Sequence, residues 1–307
     1  MGGVSTPGEP PHRSGFVAFV GRPNTGKSTL TNALVGQKVA ITSSRPQTTR
    51  HTIRGIVHRP HAQLVLVDTP GLHRPRTLLG QRLNDLVKDT YSEVDVIGLC
   101  IPADEKIGPG DRWILEQLRV VAPSTPVVGV VTKIDKLSKA RLMEQLLAVS
   151  ALLGPQSDVV PVSAVKGERV EVLVDVFAAA VPEGPMLYPA DEHTDENDTH
   201  MMAELIREAA LEGLGDELPH SLAVVVEEVT PRDGRTDFLD VHAFLYVERP
   251  SQKSIVIGKG GERLKDVGTR ARAGIEELLG TRVFLNLHVK VAKDWQRDPK
   301  QMGRLGF

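Results

Sequence analysis

Phe16-Val17-Ala18-Phe19-Val20-Gly21-Arg22-Pro23-Asn24-Thr25-Gly26-Lys27-Ser28-Thr29 is an apolar run that passes straight into a glycine-bounded loop ending in Lys-Ser. A helical pattern over residues 27–36 follows. Strand, loop and helix in that order are the setting in which G-x-x-x-x-G-K-[ST] holds a phosphate chain. Glycine lets the backbone wrap close to phosphate oxygens, and successive N–H groups and the helix N-terminus face the anion. Lys27 adds a point charge, and the Ser28 hydroxyl can bind magnesium. The loop alone does not separate GTPases from ATPases or small-molecule kinases.

Working outward, strand-like runs recur at residues 63–68, 94–101, 126–131 and 159–162, with helical stretches at 78–93, 111–121, 139–153 and 168–181. This alternation predicts an α/β domain, a mixed, mostly parallel sheet with helices on both faces. Residues 50–57 alternate polar and apolar and turn at Arg59-Pro60-His61 into the next strand, as an antiparallel edge hairpin does. Beyond a Pro/Gly-bearing, acidic stretch the order becomes helix (201–214), strand (221–229), strand (238–248), short helix, Gly-rich turn, helix (262–279), strand (283–291). That is an α+β domain. At 307 residues the chain suits two cores. The expected division is a disordered tail over 1–14, a phosphate-loop domain over 15–182, an acidic linker over 183–199 and a second domain over 200–307.

With 40% hydrophobic and 25% charged residues the composition is that of a soluble globular protein, which excludes disordered and fibrous classes. One cysteine, Cys100, rules out a disulfide framework and reads as a small hydrophobe in a strand. No apolar run reaches membrane-spanning length, and the opening MGGVSTPGEPPHRSG lacks the apolar core of a signal peptide, so a reducing cytoplasm is expected. Charge is uneven: residues 249–307 hold 13 Lys and Arg against 6 Asp and Glu, a net +7, so the remainder carries −9. Residues 183–217 hold 11 acids and one base, Arg207, a solvated acidic face. The C-terminal end suits a polyanion.

Further motifs fall at predicted strand ends, the rim where ligands bind in open α/β sheets. Asp68-Thr69-Pro70-Gly71 places an acid that can orient magnesium, beside a glycine whose amide can meet a γ-phosphate. Thr132-Lys133-Ile134-Asp135 follows the next apolar strand. A carboxylate there accepts two hydrogen bonds from guanine N1–H and its 2-amino group, which adenine cannot offer, while the Lys133 stem covers the ribose side. Ser163-Ala164 can add a backbone amide toward guanine O6.

GRPNTGKST, DTPG, TKID and VSA resemble the G motifs of the translation-factor class of GTPases, and GRPNTGKST with RPQTTRH resembles the Era family over nearly the whole chain. The resemblance implies GTP and GDP as ligands, Mg2+ as cofactor and GTP hydrolysis as the activity. The expected nucleotide contacts are Gly21 to Thr29, Asp68 to Leu72, Thr132, Lys133, Asp135, Ser163 and Ala164. Lys27, Asn24, Thr49, Asp68 and Gly71 would carry catalysis, with Ser28, Thr49 and Asp68 at magnesium. Spacing leaves Thr48 open as the switch threonine beside Thr49. Asn24 stands where potassium-dependent relatives use asparagine to hold K+. Two departures matter. Thr132 replaces the usual asparagine, a change worth about 1 kcal/mol of affinity for one neutral hydrogen bond. Leu72 stands where Ras-like GTPases carry a water-orienting glutamine, which predicts slow intrinsic turnover.

In the second domain, Gly258-Lys259-Gly260-Gly261 between two helices resembles the G-x-x-G loop of KH domains, and the element order resembles their type II fold. KH loops clamp the backbone of about four single-stranded nucleotides. Lys253, Lys259, Arg263 and Lys265 surround the glycines, so RNA binding is expected there. The Era resemblance implies the 3′ end of 16S ribosomal RNA as target and assembly of the 30S subunit as role; a monomer is expected. It also implies a weak peripheral membrane contact, for which the basic tail with Trp295, Met302, Leu305 and Phe307 is the candidate. The alternative is a constitutive RNA-binding assembly factor whose nucleotide site is structural.

Overall fold

A computed structural model describes residues 11–43, 45, 48–72, 77–212, 221–232, 234–235 and 237–307. The chain divides into two compact units, residues 1–40, 49–74 and 83–195 in the first and 41–48, 75–82 and 196–307 in the second.

The first unit is built on β1 (Arg13–Val20), β2 (Ile53–Arg59), β3 (Ala62–Asp68), β4 (Val96–Pro102), β5 (Val127–Thr132) and β6 (Val159–Pro161), in the sheet order β2-β3-β1-β4-β5-β6. Only β2 runs antiparallel, along the edge and paired with β3, as its alternating pattern predicts. Every residue of β3 and β4 is buried, because apolar side chains on both faces need cover on both faces. Val17 and Phe19 point to one side, where Leu30 and Leu34 of α1 (Lys27–Val35) and Leu173 and Phe177 of α5 (Val170–Ala180) pack. Ala18 and Val20 point to the other, against Val87 and Tyr91 of α2 (Leu78–Glu93), Ile114 and Leu118 of α3 (Pro109–Val121) and Val149 of α4 (Lys139–Leu153).

The structure corrects the expected linker. Residues 183–195 are bound into the first unit as a strap along the sheet edge. Ile56 donates its N–H to His193 O at 2.8 Å, and Gly184 N–H donates to His12 O at 3.0 Å. Gln63, fully buried, accepts from Leu187 N–H at 2.6 Å and Tyr188 N–H at 2.9 Å and donates to Tyr188 O at 2.8 Å. A polar residue buried in β3 therefore satisfies backbone groups of a segment that no periodicity reveals. At the other end, residues 1–10 of the expected tail lie outside the described residues, while Arg13 and Ser14 already belong to β1, paired with Ala62 and Gln63.

The second unit runs α6 (Asp198–Leu211), β7 (Ala223–Pro231), β8 (Phe238–Val247), α7 (Pro250–Ile257), α8 (Glu262–Leu279), β9 (Arg282–Val291) and α9 (Pro299–Arg304). The end of the expected first helix, at residues 213–214, lies outside the described residues. β8 is central, antiparallel to β7 and parallel to β9. Its inward residues Val241, Ala243, Leu245 and Val247 meet Leu205 and Ile206 of α6 and Val267, Ala271 and Ile275 of α8 in one core, which Ile41 joins. Trp295 and Met302, expected at a membrane surface, are fully buried instead, and Trp295 Nε1 donates to Ser221 O at 3.0 Å. Phe307 stacks on the Trp295 ring at 5.2 Å.

Gln63→Leu keeps the side-chain volume and leaves the Leu187 and Tyr188 amides without their acceptor. Unfolding free energy of the first unit should fall by about 2 kcal/mol, and hydrogen exchange at those two amides should accelerate. Unchanged exchange there would remove the strap from the account.

Candidate functional site

The parallel register brings the motif-bearing strand ends to one rim. Phe19 pairs with Asp68, Pro102 with Thr132 and Val131 with Pro161, so the loop after Val20, the segment after Asp68, Thr132 and the turn at Ser163 all emerge together. Within the phosphate loop Asn24 takes a left-handed conformation (φ 63°), and Gly26 precedes the first turn of α1. Thr25 Oγ1 closes the loop by donating to Arg22 O at 3.1 Å. Arg22 itself turns aside. Its Nε donates to the buried Asp111 at 2.8 Å and its guanidinium pairs with Glu105 at 2.9 Å, so Arg22 contributes backbone to the cradle while its charge anchors α3.

Lys27 is buried, and its Nζ donates to Gly21 O at 3.2 Å and Arg22 O at 3.0 Å, which fixes the ammonium at the mouth of the loop. Asp68 is fully buried opposite it. Thr49 Oγ1 donates to Asp68 Oδ2 at 3.4 Å and lies 2.9 Å from Ser28 Oγ. Three oxygens of Ser28, Thr49 and Asp68 thus converge, and Asp68 Oδ1 has no hydrogen-bond partner among the described residues. Hard oxygen donors with an unsatisfied carboxylate oxygen suit a magnesium ion, which takes few protein ligands and keeps its waters and phosphate oxygens. Thr48, the other threonine left open by spacing, donates to Arg45 O at 2.7 Å, inside its own loop. Burial lowers the Lys27 pKa against the pull of Asp68, and burial raises that of Asp68 against the Ser28 and Thr49 hydroxyls and Lys27. A polyphosphate beside Lys27 and a dication beside Asp68 would each favour the charged form.

Gly71 has no room for a side chain. A Cβ there would lie 2.9 Å from Pro23 N and 3.1 Å from Pro23 Cα. The segment after β3 therefore rests directly on the phosphate loop. Thr69 turns inward, donating to Phe19 O at 3.1 Å, and Leu72 is buried in the core beside Val87, so neither side chain faces the rim.

On the base side, Thr132 Oγ1 donates to Thr25 O at 2.6 Å. The short hydroxyl ties β5 to the phosphate loop. Lys133, in a left-handed conformation (φ 58°), lays its stem back across the rim and donates to Asn24 O at 2.7 Å. Asp135 sits on the single 3-10 turn Ile134–Lys136 and is exposed. Ser163 Oγ, fully buried, donates to Asp135 Oδ1 at 2.5 Å and accepts from Lys166 N–H at 3.2 Å. Sequence reading gave Ser163 a backbone task only. Its hydroxyl also fixes the plane of the Asp135 carboxylate.

In the second unit the glycines of the Gly258–Gly261 loop have different reasons. At Gly258 (φ 75°) a Cβ would lie 2.7 Å from Arg263 Cβ, so packing demands glycine. Gly260 (φ 61°) and Gly261 (φ 82°) face open space and need glycine for their backbone conformation alone. The loop opens onto a groove of about 390 Å³ between α8 and β9, lined by Leu264, Lys265, Thr269, Arg272, Phe284 and Leu287 among others. Lys253 and Lys259 flank the loop on α7 and its end. Arg263 departs from expectation: it donates to Glu212 O at 2.7 Å and holds the end of α6. Arg272 takes its place in the groove. It lies seven residues after Lys265, two helical turns on the same face, a spacing that could have exposed it in the sequence.

Residues 16–133 match the 50S ribosome-binding GTPase family, and residues 217–296 match the KH domain. The chain is 73% identical over 295 residues to GTPase Era of Mycobacterium sp. (strain JLS), covering 96% of this chain and 99% of that one. It is 72% identical to GTPase Era of Mycolicibacterium smegmatis with the same coverage. Among solved structures, Era in complex with MgGDPNP and nucleotides 1506–1542 of 16S ribosomal RNA superposes with a TM-score of 0.92 at 37% identity, covering 96% of this chain and 99% of that one. A point variant of Aquifex aeolicus Era bound to GDP·AlF4− matches with the same score, identity and coverage. Fold, site and relatives define a phosphate-loop GTPase carrying a KH-type RNA-binding domain. Within that class, the chain belongs to the GTPase Era family.

Ser163→Ala should weaken GDP binding about five- to tenfold, as expected for one hydrogen bond of about 1 kcal/mol that orients a charged acceptor. Calorimetric titration checks this. An unchanged Kd would leave Ser163 with no role beyond its turn.

Proposed function

We propose that the chain is a GTP-hydrolysing switch that binds the 3′ end of small-subunit ribosomal RNA and acts in assembly of that subunit. The observation that carries this reading is the passage of the chain at Thr48–Thr49. Thr49 belongs to the first unit and its hydroxyl touches Ser28 and Asp68. The residues just before it belong to the second unit, where Arg207 of α6 donates to Thr48 O and Glu208 accepts from Thr42 N–H at 2.8 Å. One peptide bond thus joins the nucleotide-sensing threonine to a segment held by the first helix of the RNA-binding domain. The 16S RNA in the complex of the related Era supports the choice of RNA.

In this reading the loop amides and Lys27 hold the β- and γ-phosphates, Gly71 offers its amide to the γ-phosphate, and Asp135, steadied by Ser163, reads guanine. Ser28, Thr49 and Asp68 would hold a magnesium ion, which would supply neutralisation of the charge that develops in phosphoryl transfer. Leu72 is buried and cannot align the attacking water, so unassisted turnover is slow. Asn24 is exposed at the loop apex, where a monovalent cation bound to it would add the missing positive charge. The protein acts as a cytoplasmic monomer. Membrane contact rests on the basic tail alone, since Trp295 and Met302 are buried.

GTP hydrolysis in potassium chloride should exceed that in sodium chloride at equal ionic strength. Equal rates would remove Asn24 as a cation ligand. Affinity for the 3′-terminal 16S sequence should differ between the GTP-analogue and GDP forms by about fivefold or more, the usual scale of coupling. Identical affinities in one buffer would reduce the protein to a constitutive RNA binder.

A further inference from the structure

Among the described residues, the helices of the second unit pack on the inner face of its sheet. Its outer face carries, from β8, the residues Phe238, Asp240, His242, Phe244 and Tyr246, and from β9 their register partners Arg282, Phe284, Asn286, His288 and Lys290. An outward row on a sheet exposed to water is ordinarily polar. Here aromatic rings stand on both strands. Phe244 stacks on His288 with ring centroids 5.5 Å apart and planes 29° apart, and Tyr246 lies 6.2 Å from Phe244. Lys290 Nζ sits 3.3 Å from the centre of the Phe244 ring and forms no ion pair among the described residues.

The acids on this face lie toward one end. Asp240 is paired with Arg232 at 2.7 Å and Asp237 with Arg235 at 3.2 Å, while Glu228 of β7 stands opposite His242. The end bearing Phe244, Tyr246, His288 and Lys290 has none in register on β8 or β9. Phe284, 47% exposed, belongs to both surfaces: it lines the groove beside the Gly258–Gly261 loop and points outward on β9. From Phe284 to His288 is four residues, about 13 Å along the strand. A strand of nucleic acid leaving the groove over the β9 edge meets this aromatic row next.

We propose that the outer face around Phe244, His288 and Lys290 is a second single-stranded RNA subsite, which stacks bases of the segment adjoining the one held in the KH groove. Bases stack on aromatic faces with little sequence preference, and an amine beside the ring meets the backbone phosphate. Lys290 reaches Phe244 on a flexible stem, so it can yield the ring to a base while keeping its charge at the phosphate. The proposal rests on RNA being the ligand of the groove.

The test uses the full chain and two single-stranded RNAs ending in the same 3′-terminal 16S sequence, one of about five nucleotides, enough for the KH clamp, and one of about fifteen. Wild type should bind the longer RNA more tightly. Phe244→Leu/His288→Ala/Lys290→Gln should leave the short RNA unaffected and weaken the long one about tenfold or more. Lys290→Gln alone, an exposed change that does not threaten the fold, should flatten the salt dependence of the long RNA by about 0.7 in log–log slope. Phe244→Tyr, which keeps a ring, should bind as wild type does. Gly260→Asp should weaken both RNAs. If that variant leaves the short RNA unchanged, the groove reading fails, whatever the outer face does. The outer-face subsite is overturned if wild type gains nothing from length, if the triple variant keeps the gain, or if it loses thermal stability with unchanged RNA affinity, as a purely structural aromatic ladder would. It is equally overturned if the face crosslinks to a protein partner and not to the long RNA.

Discussion

The opposition of Lys27 and Asp68, two charges buried in the same wall of the first unit, constrains most of the molecule. Each is expensive to remove from water unless its geometry is fixed and its partners are supplied. The sheet fixes it. Pairing Phe19 with Asp68 in parallel register sets the phosphate loop and the acid side by side. Parallel strands require helical crossovers, which bury both faces and account for the apolar runs Leu64–Val67 of β3 and Val96–Ile101 of β4. The same register carries Thr132 and Ser163 to the rim, where the hydroxyl of each closes a bond to a neighbouring loop.

How much of this was legible in the sequence depended on whether a local pattern or a distant partner did the specifying. The strand-loop-helix around Gly21 to Ser28, the edge hairpin and α8 were legible because hydrophobic period and turn residues act over a few residues. Of the site, the phosphate loop, Asp68 and Asp135 were found as motif positions. The roles of Arg22, Arg263, Leu72 and the Ser163 hydroxyl were not, because each depends on a partner far along the chain. The strap over 183–195 was missed for the same reason: its order comes from Gln63 and the edge of β2, and its own composition reads as a solvated linker. Trp295 and Met302 illustrate the converse error, since apolar residues in a basic tail are equally good core residues once Ser221 offers a buried carbonyl.

Thr132 bears on what a motif position is for. An asparagine there has a longer reach than a hydroxyl. The hydroxyl nevertheless makes a 2.6 Å bond to Thr25 O. Its task in this chain is to bind β5 to the phosphate loop, and Lys133 repeats the link from the next residue through Asn24 O. The loop after β5 is thereby tied twice to the phosphate loop without an amide side chain at position 132.

Rigidity on that side throws the response to nucleotide onto the other. Gly71 lies against Pro23 with no space for a Cβ, and Thr49 stands within hydrogen-bond reach of both Ser28 and Asp68. A γ-phosphate and metal held by these groups would order both segments, and their loss would release them. Thr48, the neighbour of Thr49, presents a carbonyl to Arg207, an arginine only 2% exposed whose charge is met by Glu204 three residues earlier. A buried ion pair has few alternative geometries, because separating its members strands a charge away from water. Thr48 is thereby anchored to α6 through a pair that resists rearrangement.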